Sequence, residues 1–205
     1  MNRREFLQCA AVLTAGTAFS SNLFALSQSQ QNFLQGKTFV KQKPTLYSNE
    51  QRTLVADIAE TIIPKTDTPG ATEAAVPTFI ELMAQHWLNS EENETLEKGL
   101  IIVDDKSKQQ YGKTFSGLTT QQKQELLQQL EQSAVDHPWY QRGNVRRAFV
   151  SSAPFICMIK ELTVWGYFTS EIGCKQALRY NPMPMHFDGE VTLQDGEAAW
   201  AEFRL

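Results

Sequence analysis

The side chains of this 205-residue chain that could do covalent or acid–base chemistry are few and far apart. Ser151 and Ser152 lie in Phe149-Val150-Ser151-Ser152-Ala153-Pro154, without the G-x-S-x-G frame that lifts a serine out of a strand toward a base. Cys157 is embedded in Pro154-Phe155-Ile156-Cys157-Met158-Ile159, and apolar burial raises a thiol's pKa and dulls it as a nucleophile. Glu60 and Asp67 flank a turn and could pair as acid and base, although carboxylates beside a turn are usually solvated. His86, His137 and His186 have no partner at i+4 and no H-E-x-x-H frame, so a metal site would need three distant segments to converge. No G-x-G-x-x-G opens a helix after a strand, and no C-x-x-C-H could tether haem. Three cysteines are too few for the four thiolates of an iron–sulfur cluster. The expectation is a chain with no catalytic residues, no metal and no cofactor of its own.

With no constellation to position, the elements themselves carry the argument, beginning with the amino terminus. Met1-Asn2-Arg3-Arg4-Glu5-Phe6-Leu7-Gln8 is a basic stretch followed by the weakly apolar Cys9-Ala10-Ala11-Val12-Leu13-Thr14-Ala15-Gly16, which reads as an export address rather than a fold element. Thr14, Gly16 and Thr17 interrupt it well short of the ~18 consecutive apolar residues that span a bilayer. Arg3, Arg4, Phe6 and Leu7 resemble the twin-arginine consensus, with Asn2 and Gln8 where that consensus has Ser or Thr and then Lys. An ordinary secretory signal that happens to carry two arginines is the alternative, and the mild hydrophobicity favours the twin-arginine route. Cleavage is expected after Ala25, giving a signal over residues 1–25. Removing Arg3, Arg4 and Glu5 from the 19 basic and 23 acidic side chains leaves 17 and 22, a net charge of −5 that makes nucleic acid an unsuitable partner. Cys9 leaves with the signal, and Cys157 and Cys174 are then an even pair in an oxidising compartment, open either to a disulfide or to two buried thiols.

Residues 26–45, rich in Gln and Ser, read as a linker that lies along the body or along a partner. The body, residues 46–205, is expected to be all-α: a single-domain irregular helical bundle with a mostly irregular carboxy-terminal tail. Ser48-Asn49-Glu50-Gln51 is a capping-box pattern, and Leu54, Val55, Ile58, Ala59 and Ile62 follow on one helical face until Pro64. Pro77 suits the first turn of a helix carrying Ile80, Met83 and Trp87. A third helix is predicted from about Glu91 toward Tyr111, weakened by Gly99. Thr119-Thr120-Gln121-Gln122 opens a fourth with Leu126, Leu127 and Leu130 inward. The segment 145–168 is the most apolar and should form a central helix that Pro154 kinks or begins. Trp165, Tyr167, Met183, Met185 and Phe187 exceed what a small core requires and are candidates for a partner interface, with tail folding over the core as the alternative.

Two runs resemble a known family. Ile62-Ile63-Pro64-Lys65-Thr66-Asp67-Thr68-Pro69-Gly70-Ala71, inside the longer stretch from Leu54 to Pro77, and the later Gly166-Tyr167-Phe168-Thr169-Ser170-Glu171-Ile172-Gly173 are similar to the landmarks of the gluconate 2-dehydrogenase subunit 3 family. They bracket residues 46–190. The resemblance implies a small non-catalytic subunit that accompanies a large flavin-dependent alcohol or sugar dehydrogenase, with FAD in the partner and often a cytochrome c subunit alongside. It also implies a periplasmic escort role, in which this chain's signal engages the twin-arginine translocase and carries the flavoprotein with it, and membrane association only through the complex. Pro64, Thr66, Asp67, Thr68, Pro69 and Gly70 are expected to form a rigid turn, with Asp67 capping the next segment. A free-standing periplasmic ligand-binding or stress protein is the other reading, and an enzyme assembled from scattered carboxylates and histidines a third.

Overall fold

The computed structural model describes residues 43–135, 137, 153–181, 190, 192 and 195–202. Arg3, Arg4, Phe6 and Leu7, the cleavage point at Ala25, and Met183, Met185 and Phe187 lie outside the described residues. Among the described residues five α-helices form the body: α1 (Asn49–Ile62), α2 (Val76–His86), α3 (Ser90–Tyr111), α4 (Thr120–Gln132) and α5 (Phe155–Thr169). A 3-10 turn, Phe115–Gly117, joins α3 to α4, and a π-helical turn, Gly173–Ala177, follows α5. The architecture is all-α, as its composition and periodicity predict.

Helix starts are written locally. Ser48 and Thr119 each accept the N–H of the residue three positions on, whose own side chain returns the bond, so both expected capping boxes are present. A third box, Asn89 with Glu92, opens α3 one residue ahead of the predicted start; an Asn in place of Ser or Thr was the signal. Ala75 starts α2 in the left-handed region at φ 57°, the one positive-φ residue other than glycine among the described residues.

α5 is the centre of the bundle, contacting each of the other four helices. It is apolar nearly all round, and Ile156, Met158, Ile159, Leu162 and Tyr167 are buried on it. Pro154 caps its start rather than kinking it, since a proline N-cap forfeits no helical N–H. Gly99 costs α3 helix propensity, yet a Cβ there would stand 1.9 Å from the Phe155 ring, so the glycine is what lets α3 close on α5. Lys123 of α4 reaches the Asp57 carboxylate of α1 at 2.9 Å and ties those helices together.

The lead-in to α1 is fastened to α2 by a buried carboxylate. Glu81, 1% exposed, accepts from the Tyr47 N–H at 2.8 Å and from Arg52 through Nε and Nη2 at 2.8 and 2.9 Å. Arg52 also donates to the Pro44 carbonyl at 3.1 Å, and the Thr45 N–H to Gln85 at 3.1 Å. Pro44 and Thr45, inside the stretch expected to be linker, are thus already tied to the folded body.

The possible disulfide is corrected: Cys157 and Cys174 are not joined to each other. Cys157 lies in the first turn of α5 and Cys174 beyond its end, where its Sγ meets the Phe168 carbonyl at 3.0 Å. The rise from position 157 to 168 is about 16 Å at ~1.5 Å per residue, well past the ~7 Å reach of a disulfide. The tail, expected to be mostly irregular, holds one short regular pairing among the described residues: Arg179–Asn181 (β1) and Trp200–Glu202 (β2) run in parallel, Arg179 against Trp200. The Arg179 guanidinium stacks 4.1 Å over the Trp200 ring and pairs with Glu197. Three residues are too short a run for strand periodicity to register.

Candidate functional site

The turn after α1 and the end of α5 lie far apart in sequence and meet in space. α1 is capped by Ile63, whose N–H reaches Ala59 O, and goes no further because Pro64 has no N–H to extend the ladder. The chain then loops and returns, the Ala71 N–H donating to Ile63 O at 2.9 Å. Glu60, on the last turn of α1, organises this loop from within: Oε1 accepts from the Lys65 N–H at 3.0 Å and Oε2 from the Thr72 N–H at 2.8 Å. A Cβ at Gly70 would sit 2.1 Å from Glu60 Oε1, so any side chain there would push the carboxylate off the loop N–H groups it holds. Asp67, expected to cap the next segment, is exposed and makes no hydrogen bond to the described residues. Glu60 takes that role because it rises from a rigid helix beneath the loop, whereas Asp67 stands at the loop's outer edge.

The second segment supplies the clasp. Tyr167, 2% exposed, donates its hydroxyl to the Pro69 carbonyl at 2.7 Å, joining residues 98 positions apart. Its expected part in a partner interface is therefore corrected: the ring is core, and the hydroxyl ends are used internally. Ser170 donates to Tyr167 O at 2.7 Å and accepts from the Gly173 N–H at 2.9 Å. A Cβ on Gly173 would stand 1.9 Å from Tyr167 O, which explains glycine at that tight turn. Thr169 is spent on the Trp165 carbonyl at 2.7 Å. Substituting Tyr167→Phe leaves Pro69 O without its donor and is expected to cost about 1–2 kcal/mol, read as a melting point lowered by about 2–6 °C. An unchanged Tm would mean that water replaces the hydroxyl.

Between the start of α2 and the end of α5 runs an open groove of about 430 Å³. Its lining is apolar, chiefly Ala74, Ala75, Phe79, Leu82, Gly166 and Ile172. Gly166 deepens it, since a Cβ there would come 2.7 Å from Phe79. Two carboxylates on the rim are matched: Glu73 by Lys65 at 2.5 Å and Glu171 by Lys175 at 2.6 Å. The Lys175 bond holds the Glu171 carboxyl below its ordinary value and, in return, the ammonium above its own. Beside the groove α5 exposes Val164, Trp165 and Phe168, each at least 40% accessible, with Trp165 edge-on to Phe79 at 6.0 Å. Trp165 thus stands where an interface candidate should.

The hydroxyls at this junction are engaged with backbone, and the groove places no histidine beside them. Among the described residues no three His, Cys, Asp or Glu side chains gather as metal ligands, and no helix is long and apolar enough to cross a membrane. The arrangement is suited to holding a surface in shape. Sequence reasoning found the turn but took Glu60 only as a possible acid–base partner of Asp67; its anchoring role was signalled by a carboxylate one turn before the helix-ending proline. It also placed Tyr167 on the wrong side. A family model described as gluconate 2-dehydrogenase subunit 3 matches residues 49–186, spanning both segments. No curated protein and no solved structure matches the chain.

Proposed function

The chain belongs to the gluconate 2-dehydrogenase subunit 3 family, a family of accessory subunits of dehydrogenase complexes, and on that premise we propose that it is the non-catalytic small subunit of a periplasmic, FAD-dependent alcohol or sugar dehydrogenase. In this reading the flavin and the substrate site belong to the large subunit. This chain contributes the twin-arginine leader and a stable docking body, and a cytochrome c subunit completes the assembly.

The observation that carries the proposal is the family match across the whole described bundle. Three features support it. The two most distinctive sequence segments are spent on building one rigid corner, through Glu60, Gly70 and Tyr167, instead of presenting reactive groups. The helix at that corner turns Val164, Trp165 and Phe168 outward, and aromatic side chains of this kind are favoured where proteins associate. Arg3 and Arg4 precede a weakly apolar stretch, the pattern of a leader for folded cargo. Folded export suits a subunit whose partner takes up its cofactor before crossing the membrane.

The test is co-purification. Tagged chain recovered from periplasm is expected to bring down a large subunit with the absorbance of oxidised flavin, and dehydrogenase activity with it. A colourless, monomeric chain would overturn the proposal and favour a free-standing ligand-binding protein, for which the apolar groove beside α5 would be the place to look.

A further inference from the structure

A second groove, of about 540 Å³, lies between the first turns of α1 and the middle of α3. Its floor is apolar, Leu54, Leu100 and Ile101, and Ile101 is 62% exposed, the most of any large apolar side chain described. Its rim carries three carboxylates, Glu50, Asp104 and Asp105, and one cation, Lys108. That cation is spent: Asp104 takes Lys108 at 2.6 Å, and the Phe115 N–H at 3.0 Å. Lys98, earlier on α3, is taken by Glu94 at 2.6 Å. Asp105 adds to the pull on Lys108 only through space. Glu50 is bonded to its own backbone N–H and to Ser48, contacts that hold its carboxyl below its ordinary range. Neither Glu50 nor Asp105 forms a salt bridge with the described residues.

The floor and the rim ask for two kinds of chemistry in one occupant. Covering Leu54 and Ile101 takes an apolar side chain, and two carboxylates without cations take lysine or arginine. A small cation would leave the floor wet, and a neutral apolar ligand would desolvate the rim carboxylates without pairing them. An anionic lipid surface or a nucleic acid would be repelled. So would a second copy, because it would set the same acidic groove, on a chain of net charge −4, against its own image. The occupant that satisfies both halves is a protein segment with apolar side chains flanked by cations. The groove beside α5 selects differently, since lysines of this chain already match both its rim carboxylates and an uncharged apolar surface suits it.

We propose that the groove between α1 and α3 docks a basic segment of another subunit, with an apolar side chain of that segment on Leu54 and Ile101 and its cations on Glu50 and Asp105. The proposal rests on the reading of this chain as one subunit of a complex. It gives that complex a contact of different physics from the apolar face of α5. Ion pairs at a wet rim are screened over about 10 Å at ~0.1 M salt, so this contact loosens as salt is raised. Opposed charge of this kind speeds encounter and fixes register more than it adds affinity.

Zero-length cross-linking of the complex recovered from periplasm, with dissociation rates measured alongside, tests this. A carbodiimide couples a carboxylate only to an amine in direct contact, itself taking up the water released. Glu50 or Asp105 is expected to link to a lysine of a different subunit, with the yield falling about tenfold when salt is raised to about 1 M. The Glu50→Lys, Asp105→Lys variant should release that subunit about tenfold faster, and Glu50→Gln with Asp105→Asn, which keep the side-chain shapes, about threefold faster. Asp67→Lys with Asp195→Lys makes the same change in net charge at exposed positions outside the groove and should leave the rate unchanged. Faster release without a link would support the proposal with arginines as the cations, since carbodiimide does not couple them. An intact complex that shows no link and releases at the wild-type rate after reversal would overturn the proposal and leave the subunit reading standing. Links that join two isotopically distinct copies of this chain would overturn it too, as would equal acceleration by both charge reversals. Recovery of the chain alone would overturn the subunit reading and this proposal with it.

Discussion

On the proposed escort role, replacing Arg3 and Arg4 with lysine is expected to strand this chain and the activity of the proposed dehydrogenase partner in the cytoplasm, with periplasmic activity falling roughly tenfold or more. The substitution keeps both positive charges, so a general secretory signal, which asks only for a basic n-region, would tolerate it. It removes the planar guanidinium forks, which an ammonium on a flexible stem does not imitate. The comparison thus separates charge from geometry. Because the partner's activity is measured as well as this chain's location, the same fractionation reports on the escort role. Export of both proteins at the wild-type level would remove the twin-arginine reading. Export of the partner while this chain stays behind would remove the escort.

The largest effect on stability is expected from Arg52→Ala. Glu81 would keep its burial and the Tyr47 N–H and lose its bidentate partner, and stranding a buried carboxylate in this way costs about 2–4 kcal/mol after allowing for the partial exposure of Arg52. For a body of this size the melting point should drop by about 5–12 °C. The effect carries a pH signature. Burial pushes the Glu81 carboxyl up, but the Arg52 bonds and the Tyr47 N–H outweigh it and hold the group below its ordinary 4.5. A depressed carboxyl contributes stability above its unfolded value and loses it as pH falls through the folded one. Without Arg52 the depression is smaller, so the variant loses less stability than the wild type as the solution is acidified. The gap between wild type and variant should therefore be wider at pH 7 than at pH 4.5. Melts recorded at both values with an equal gap would show that the pair contributes packing and no net electrostatics.

Much of the secondary structure was legible before any coordinates, for a local reason. A capping box such as Ser48 with Gln51 or Thr119 with Gln122 closes within four residues, and the apolar face of α1 repeats at the helical period. Asn89 with Glu92 obeys the same chemistry and was visible in principle. Pro154 was ambiguous because a kink and an N-cap place the same demands on the next few residues. The short β1–β2 pair escaped because its partners are some twenty residues apart and each is three residues long.

The candidate site divides in the same way. That residues 64–70 form a turn follows from Pro64, Pro69 and Gly70 themselves. That Glu60 holds it and Asp67 does not depends on which carboxylate lies beneath the returning backbone. Tyr167 and Trp165, two positions apart on an apolar helix, looked alike as interface candidates. One is buried against Pro69 and the other faces outward beside Phe79, because the side of α5 turned to the core is set by four neighbouring helices and not by a polar face of its own.

By itself the sequence determined the helical class, most helix starts and the family, since composition, capping and periodicity act over a few residues. Tertiary structure alone decided that Arg52 and Glu81 pair across 29 positions, that Cys157 and Cys174 stay apart, that Gly99 and Gly166 exist to admit aromatic rings, and which aromatics reach the surface. The physical reason is the same in each case: burial, close approach and charge pairing are properties of neighbours in space, and no local spacing records who those neighbours are.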